Sequence, residues 1–137
     1  AYTLRTMFIT RESDYAVRVL RELSDGKLKT VQLICEREMV PFQYCYKILK
    51  KLEKNGLVKS FRGANGGYRI AKDPGVITLF DVITSIDESL VITGCLKHGF
   101  DCQRNRGLAV CKVHTEFDRI QTLLLNSLKE KSLAELV

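Results

Sequence analysis

The stretch from Pro41 to Gly56 carries two faces on one helical period, and this constrains the fold more than any other feature of the chain. Cys45, Ile48, Leu49 and Leu52 stand at i, i+3, i+4 and i+7, so a helix through them has one apolar side to bury. Gln43, Tyr46, Lys47, Lys50 and Lys54 fall at i, i+3, i+4, i+7 and i+11 on another side, and Lys51 sits beside them. Pro41 suits the first turn of a helix, where its missing N–H costs nothing, and Asn55-Gly56 supplies the stop. Half of this helix belongs to a core; the other half is polar and basic.

Its neighbours are short. Ala16, Val19, Leu20 and Leu23 give an amphipathic helix from about Asp14 to Leu23, ended by Ser24-Asp25-Gly26. Thr30 is placed to cap a second helix running from Val31 to about Glu38. After the basic helix come two β-prone stretches, Leu57–Phe61 and Gly67–Ile70. They flank Arg62-Gly63-Ala64-Asn65-Gly66, the composition of a hairpin turn. Three helices, tight spacing between the second and third, and a hairpin make a winged helix-turn-helix.

The second half of the chain is organised differently. Thr78, with Asp81 three residues on, caps a fourth helix whose buried side is Leu79, Val82, Ile83 and Ile86. Gly94 to about Leu108 reads as an irregular loop. Helical period returns from about Cys111 to Lys131, with the stripe Val113, Phe117, Ile120, Leu124 and Leu128 widened by Leu123 and Leu125. That is more apolar surface than a small monomer leaves in water, so the helix is expected to pair with a second copy. Ser132-Leu133-Ala134-Glu135 has the pattern of a capping box for a last short turn. The expected fold is mainly α with a small β-hairpin wing, a winged helix-turn-helix plus a long C-terminal dimerisation helix. Residues 7–75 form the DNA-binding region, and residues 76–137 the cysteine loop and dimerisation helix, in one compact unit. Ala1–Thr6 carry no pattern and read as an arm before Met7.

Charge follows the same division. The net charge is +6 over 137 residues. Residues 1–75 hold 15 Lys and Arg against 8 Asp and Glu; residues 76–137 hold 7 against 8. The basic half is therefore the one suited to a polyanion. A helix with a basic face fits the major groove of duplex DNA with its N-terminal residues toward base edges. Gln43, Tyr46 and Lys47, with Tyr44 next to them, are the candidates for base contact, since Gln pairs with adenine and Lys donates to guanine. Lys50, Lys51 and Lys54 are placed for phosphate, and Arg62 at the hairpin tip for a narrow minor groove. Tyr68 is expected to pack the hairpin. No Gly-rich phosphate loop follows a strand and no nucleophile–base pair stands at a working spacing, which argues against an enzyme. No segment has the length of a membrane span and no secretory signal is seen, so the expected location is the cytoplasm.

Five cysteines, an odd number, argue against a disulfide framework. Cys35 and Cys45 read as small buried thiols. Cys95, Cys102 and Cys111 are separated by six and eight residues on a Gly-rich loop. Thiolates suit iron–sulfur clusters, copper(I) and zinc. The short Cys-x-x-Cys knuckle usual for structural zinc is absent, and open spacing is better suited to wrapping a cluster. His114, three residues after Cys111, projects from the same helix face and is a candidate fourth ligand, whereas His98 within the loop reads as incidental. Zinc or a cluster-free thiol switch stays open.

The residues also resemble a known family. Asp14-Tyr15-Ala16, Gly56-Leu57-Val58-Lys59-Ser60 and above all the wing Arg62-Gly63-Ala64-Asn65-Gly66-Gly67-Tyr68 look like the signature of the Rrf2 family, the IscR/NsrR/CymR-like bacterial winged-helix regulators. The likeness runs from Met7 to Val137 and includes the closing Leu133-Ala134-Glu135-Leu136-Val137. It implies a homodimer joined through the long C-terminal helix, palindromic promoter DNA as partner, and an iron–sulfur cluster on three loop cysteines. Some members carry a histidine at the offset of His114 from Cys111, which favours a 2Fe–2S cluster on Cys95, Cys102, Cys111 and His114. Others use a carboxylate from the partner subunit at the position of Asp14, the 4Fe–4S alternative. The eight-residue gap between Cys102 and Cys111 is longer than the family's usual spacing. The sequence thus points to a transcription regulator sensing cluster or redox state. The alternatives are a metal-free, thiol- or partner-responsive regulator of the same fold, and a small iron–sulfur electron-transfer module.

Overall fold

The computed structural model describes residues 8–88, 90–97, 99–101 and 111–137. Helix α1 spans Arg11–Leu23, α2 Val31–Glu38, α3 Phe42–Lys54, α4 Leu79–Ile86 and α5 Lys112–Leu128; strands β1, Val58–Phe61, and β2, Gly67–Ile70, form one antiparallel hairpin. The fold is thus the expected helical one with a two-stranded wing.

Capping chemistry sets the helix ends. α1 begins three residues before the expected start at Asp14, because the Thr10 hydroxyl accepts the Ser13 N–H at 3.1 Å and Glu12 and Asp14 complement the positive helix end. Thr30 starts α2 by accepting the Leu33 N–H at 3.2 Å. Met39 stops it in the left-handed region at φ 53°, a conformation uncommon for a residue with a side chain. Two residues later Pro41 opens α3, so the turn between the helices is short and fixed. Thr78 and Asp81 form the expected reciprocal box at the start of α4. The box expected at Ser132 does not form: the 3-10 turn Leu133–Leu136 is present, but the Ser132 side chain makes no cap bond. Ser132 instead bridges Thr78 along the backbone, and the Leu133 N–H reaches the Ile77 carbonyl at 2.7 Å. That β-type pairing fixes the turn's entrance without the hydroxyl.

The apolar face of α3 is wholly buried: Cys45, Ile48, Leu49 and Leu52 each have 0% exposure. They meet Ala16, Val19, Leu20 and Leu23 of α1, Ile34 of α2, Val82 and Ile86 of α4 and Leu133 of the C-terminal turn in one core. Each fully buried leucine or isoleucine contributes about 1.5–3 kcal/mol relative to exposure, so the core holds α3 rigidly with its other face outward.

The wing is anchored at both ends. Val58 pairs with Ile70 and Phe61 with Gly67. Tyr68 and Lys29 exchange backbone hydrogen bonds of 2.8 and 3.0 Å, which adds the loop before α2 to the hairpin's edge. Gly67, at φ 154°, lies so close to Lys29 that a Cβ would fall on its carbonyl; only glycine fits this approach. Tyr68 is buried in the core, as its expected packing role requires.

Candidate nucleic-acid interface and cysteine segment

Core burial of one side of α3 leaves Phe42, Gln43, Tyr44, Tyr46, Lys47, Lys50 and Lys54 exposed. The sequence-derived residues do not all stand in the same surroundings. Lys50 Nζ lies 5.2 Å from the Tyr46 ring centroid, and Tyr44 meets the Tyr15 ring edge-on at 5.6 Å. Lys51 turns away toward α1, where Nζ is 2.9 Å from Glu12 Oε1. The N-terminal turn of α3 contains no acidic residue and Pro41 provides no side-chain cap, in contrast to α1 with Glu12 and Asp14. No side chain of the first turn offsets the positive end of this helix's dipole.

The wing stands beside this face. Glu53 Oε2 accepts the Ser60 N–H at 3.1 Å and ties β1 to α3. A groove between them is lined by Tyr46, Lys50, Glu53, Ser60, Phe61, Arg62, Gly67 and Tyr68. Arg62 is exposed at the tip. Lys59 and Arg69, which the sequence reading passed over, are directly opposed across the hairpin and both exposed. Their cationic groups lie 5.6 and 4.8 Å from the Phe61 ring centroid. Like charges facing each other across strands repel, and an anion between or beside them relieves the repulsion. Strand alternation carried the signal: Lys59 and Arg69 fall on the outward side of the hairpin once Val58 and Tyr68 are assigned inward.

The cysteine segment rests on α5. Cys95 is half-buried in the 3-10 turn Gly94–Leu96, which packs against α5, and the Ile92 N–H donates to Gln121 Oε1 at 3.0 Å. Cys111 is the N-cap of α5; its Sγ accepts the His114 N–H at 3.4 Å, and the His114 side chain is half-buried one turn into the helix. Cys102 and His98 lie outside the described residues. Among the described residues, no three His, Cys, Asp or Glu side chains gather into a metal cage. Asp14, on α1, is paired with Arg18 at 3.2 Å. Soft sulfur donors at Cys95 and Cys111 and the imidazole of His114 are of the chemistry that suits an iron–sulfur cluster.

Cys35 and Cys45 are buried thiols in the helix-turn-helix. Burial, with a lesser contribution from the neighbouring Cys35 thiol, pushes the Cys45 thiol far above its ordinary range. On α5 the expected stripe is outward only in part: Val113 (61%), Phe117 (38%), Ile120 (39%) and Leu123 (55%) are exposed, Leu124 and Leu125 are half-buried, and Leu128 turns into the fold.

A helix-turn-helix with an exposed basic reading helix, flanked by a cationic wing, defines a winged-helix transcriptional regulator. The Rrf2 family model, described as an iron-dependent transcriptional regulator, matches residues 9–137, and the chain belongs to this family. It is 34% identical over 134 residues to the HTH-type transcriptional regulator IscR of Enterobacter sp. (strain 638), covering 96% of this chain and 80% of the relative. IscR of Yersinia enterocolitica is 35% identical over 136 residues, covering 96% and 79%. Among solved structures, T. potens IscR superposes with a TM-score of 0.71 at 25% identity over 93% of this chain and 84% of that one. CymR, the global cysteine regulator of B. subtilis, superposes at 0.73 with 22% identity, covering 93% and 94%, a likeness of fold. These relatives are transcriptional regulators. No described helix is long and apolar enough to cross a membrane.

Proposed function

We propose that this protein binds palindromic operator DNA as a homodimer in the cytoplasm and that iron–sulfur cluster or redox state at Cys95, Cys102 and Cys111 sets its affinity. The carrying observation is the continuous surface made by the outward face of α3 and the wing, with Lys50 and Arg62 on the two sides of one groove. Residues 7–75 form the reading region and residues 76–137 the sensing and dimerising region.

Gln43, Tyr46 and Lys47 address base edges, with Tyr44 steadied against Tyr15 at their flank. Lys50 and Lys54 meet phosphate, and Arg62 enters the minor groove. The exposed stripe of α5 meets the same stripe of a second copy, giving half-sites about one helical turn (~34–36 Å) apart or a multiple of it. Cys95, Cys102, Cys111 and His114 would hold a 2Fe–2S cluster, with Asp14 of a second copy and a 4Fe–4S cluster as the other assignment. A bound cluster supplies a redox-responsive crosslink among its ligands. Gln121 joins the segment before Cys95 to α5, so the state of the cysteine segment bears directly on the helix that meets the partner. A shift in that helix changes the spacing of the two reading helices and hence operator affinity.

The test is operator selection from a random duplex library with anaerobically purified, iron-reconstituted protein, followed by titration against selected and scrambled DNA. Gln43→Ala is expected to relax preference at one base pair per half-site, at about 1–3 kcal/mol. Equal affinity for selected and scrambled duplexes refutes the regulator reading. A sedimenting monomer at micromolar concentration refutes the dimer. Unchanged affinity in variants of all three loop cysteines refutes the sensor and leaves the winged-helix reading standing.

A further inference from the structure

The turn into the reading helix exposes apolar side chains that a basic surface does not need. Phe42, the first residue of α3, is 61% exposed, and Met39, three residues earlier in the turn, is 80% exposed. Tyr46 is one helical turn beyond Phe42 on the same side, and its ring carries Lys50 at 5.2 Å. Leaving a phenyl ring in water forgoes most of the roughly 1.5–3 kcal/mol its burial would give. A cluster of such groups marks a contact surface.

What covers it follows from its position. Phe42 sits at the end of α3 that leads into a major groove, where the first helical residues reach base edges. Gln43 follows it in the same turn, which has no acidic residue, and Lys50 lies over Tyr46 one turn further on. A protein partner with an apolar face gains nothing from the exposed lysines further along this helix, whereas duplex DNA offers both phosphate for the lysines and an apolar group for the ring. That group is the thymine C5-methyl, which projects into the major groove and is read by apolar side chains.

We propose that Phe42 is a specificity-determining residue that recognises a thymine methyl in each operator half-site, Met39 extending the apolar surface at its edge. The proposal rests on the operator-binding reading above. It adds a contact by shape and hydrophobicity to the hydrogen bonds expected of Gln43 and Lys47. The ring is outside the core, so its truncation leaves the fold intact.

The experiment is a chemical double-mutant cycle. A duplex is enriched from a random library with the iron-reconstituted full chain, and each thymine is then replaced singly by deoxyuridine, which removes only the methyl group. Affinities are measured for the parent, Phe42→Ala, Phe42→Leu and Lys50→Ala. For the parent, uracil at one position per half-site should weaken binding about three- to tenfold, the scale expected for one buried methyl. Phe42→Ala should abolish that sensitivity, Phe42→Leu should keep part of it, and Lys50→Ala should weaken binding while leaving the uracil effect intact. Uracil penalties that are the same in Phe42→Ala as in the parent overturn the inference and leave operator binding in place. Self-association weakened by Phe42→Ala also overturns it, because the ring then meets a second copy. A library with no enriched duplex refutes operator binding itself, and with it this contact.

Discussion

Lys51 Nζ lies 2.9 Å from Glu12 Oε1, joining the reading helix to α1 across 39 positions of sequence. The pair engages a lysine that the sequence places among phosphate contacts. Lys50 and Lys54 have no such partner among the described ion pairs and remain on the exposed face. Each should therefore contribute about one unit to the slope of log affinity against log salt, and Lys50→Ala and Lys54→Ala should each flatten it by that amount. Lys51→Ala should change the slope less and reduce folding stability by up to about 1 kcal/mol, as a partly exposed pair does. Titrations at four or five salt concentrations with the three variants decide it. A Lys51→Ala slope as shallow as that of Lys50→Ala would show that the lysine leaves Glu12 for phosphate.

The wing's anchor is electrostatic as well as backbone-paired. Lys29, 6% exposed, holds Glu22 at 3.0 Å and Asp25 at 2.9 Å, and Arg37 adds a second contact to Glu22 at 2.9 Å. Burial pushes the Glu22 carboxyl up, but the bonds from Lys29 and Arg37 outweigh it and hold the group below its ordinary value. Asp25 is lowered chiefly by its bond to Lys29 and then by the Lys27 N–H. Burial lowers Lys29, yet its bonds to Asp25 and Glu22 raise it overall. Carboxylates depressed by folding stabilise the protein above their unfolded values near ~4, and that stability is lost as pH falls through the lower folded values. The raised lysine stabilises below its unfolded value near ~10.4, and its contribution is lost as pH rises through the folded value. Lys29→Met should cost about 1–3 kcal/mol at pH 7, since it leaves Glu22 with one fewer partner in a buried setting. It should also reduce the loss of stability as pH falls below the unfolded carboxylate range near ~4. Urea unfolding of parent and variant across that range measures both; parallel curves would rule out the linkage.

These relationships show what the sequence makes legible. The buried side of α3 and the Thr78–Asp81 box are local, and period and spacing foretold both. The start of α1 was missed by three residues because Thr10 caps a turn, Arg11–Ser13, that precedes the apolar stripe. Ser132 carries the right letters for a box, yet Thr78, far off in sequence, supplies its pairing instead. Phe42 and Lys51 could not be sorted from the sequence, because exposure at one and an ion pair at the other depend on how α1 and α3 pack. The spacing of Cys95, Cys102 and Cys111 is plain in the sequence, but spacing alone does not fix the geometry of a ligand set.

The buried thiols separate from the loop thiols by reactivity. Cys45 has 0% exposure, and burial first, then the Cys35 thiol, raises it far above the ordinary thiol range. The thiolate is the nucleophile, so alkylation of Cys45 in the native protein should be negligible at pH 8. Cys95, half-buried at the surface of α5, should be modified in the metal-free protein within the same exposure to iodoacetamide. Peptide mass mapping before and after denaturation separates the two classes. Native labelling of Cys45 at the rate of Cys95 would mean that α2 and α3 part readily, contrary to the packed core.

The fourth-ligand assignment has the sharpest consequence. Cys111 caps the first turn of α5, its Sγ accepting the His114 backbone N–H at 3.4 Å, so the sulfur and the residue three positions on are borne by the same turn. Asp14 stands on another element and is engaged by Arg18 at 3.2 Å, so recruiting it as a ligand requires breaking that pair. The partial exposure of Asp14 and Arg18 makes their separation inexpensive, on the order of 0–1 kcal/mol, which keeps the rival chemically open. Cys95→Ser, Cys102→Ser and Cys111→Ser should each lose the iron-dependent visible chromophore after anaerobic reconstitution, because two thiolates hold a cluster poorly. His114→Ala should give a weaker and more labile chromophore, since a neutral imidazole contributes less to binding than a thiolate. Asp14→Asn should match the parent in spectrum and iron content. The three cysteine variants, His114→Ala and Asp14→Asn are to be reconstituted side by side and followed by visible spectra and iron analysis. Loss of the cluster in Asp14→Asn, with His114→Ala indistinguishable from the parent, would transfer the fourth position to the partner's carboxylate and favour 4Fe–4S.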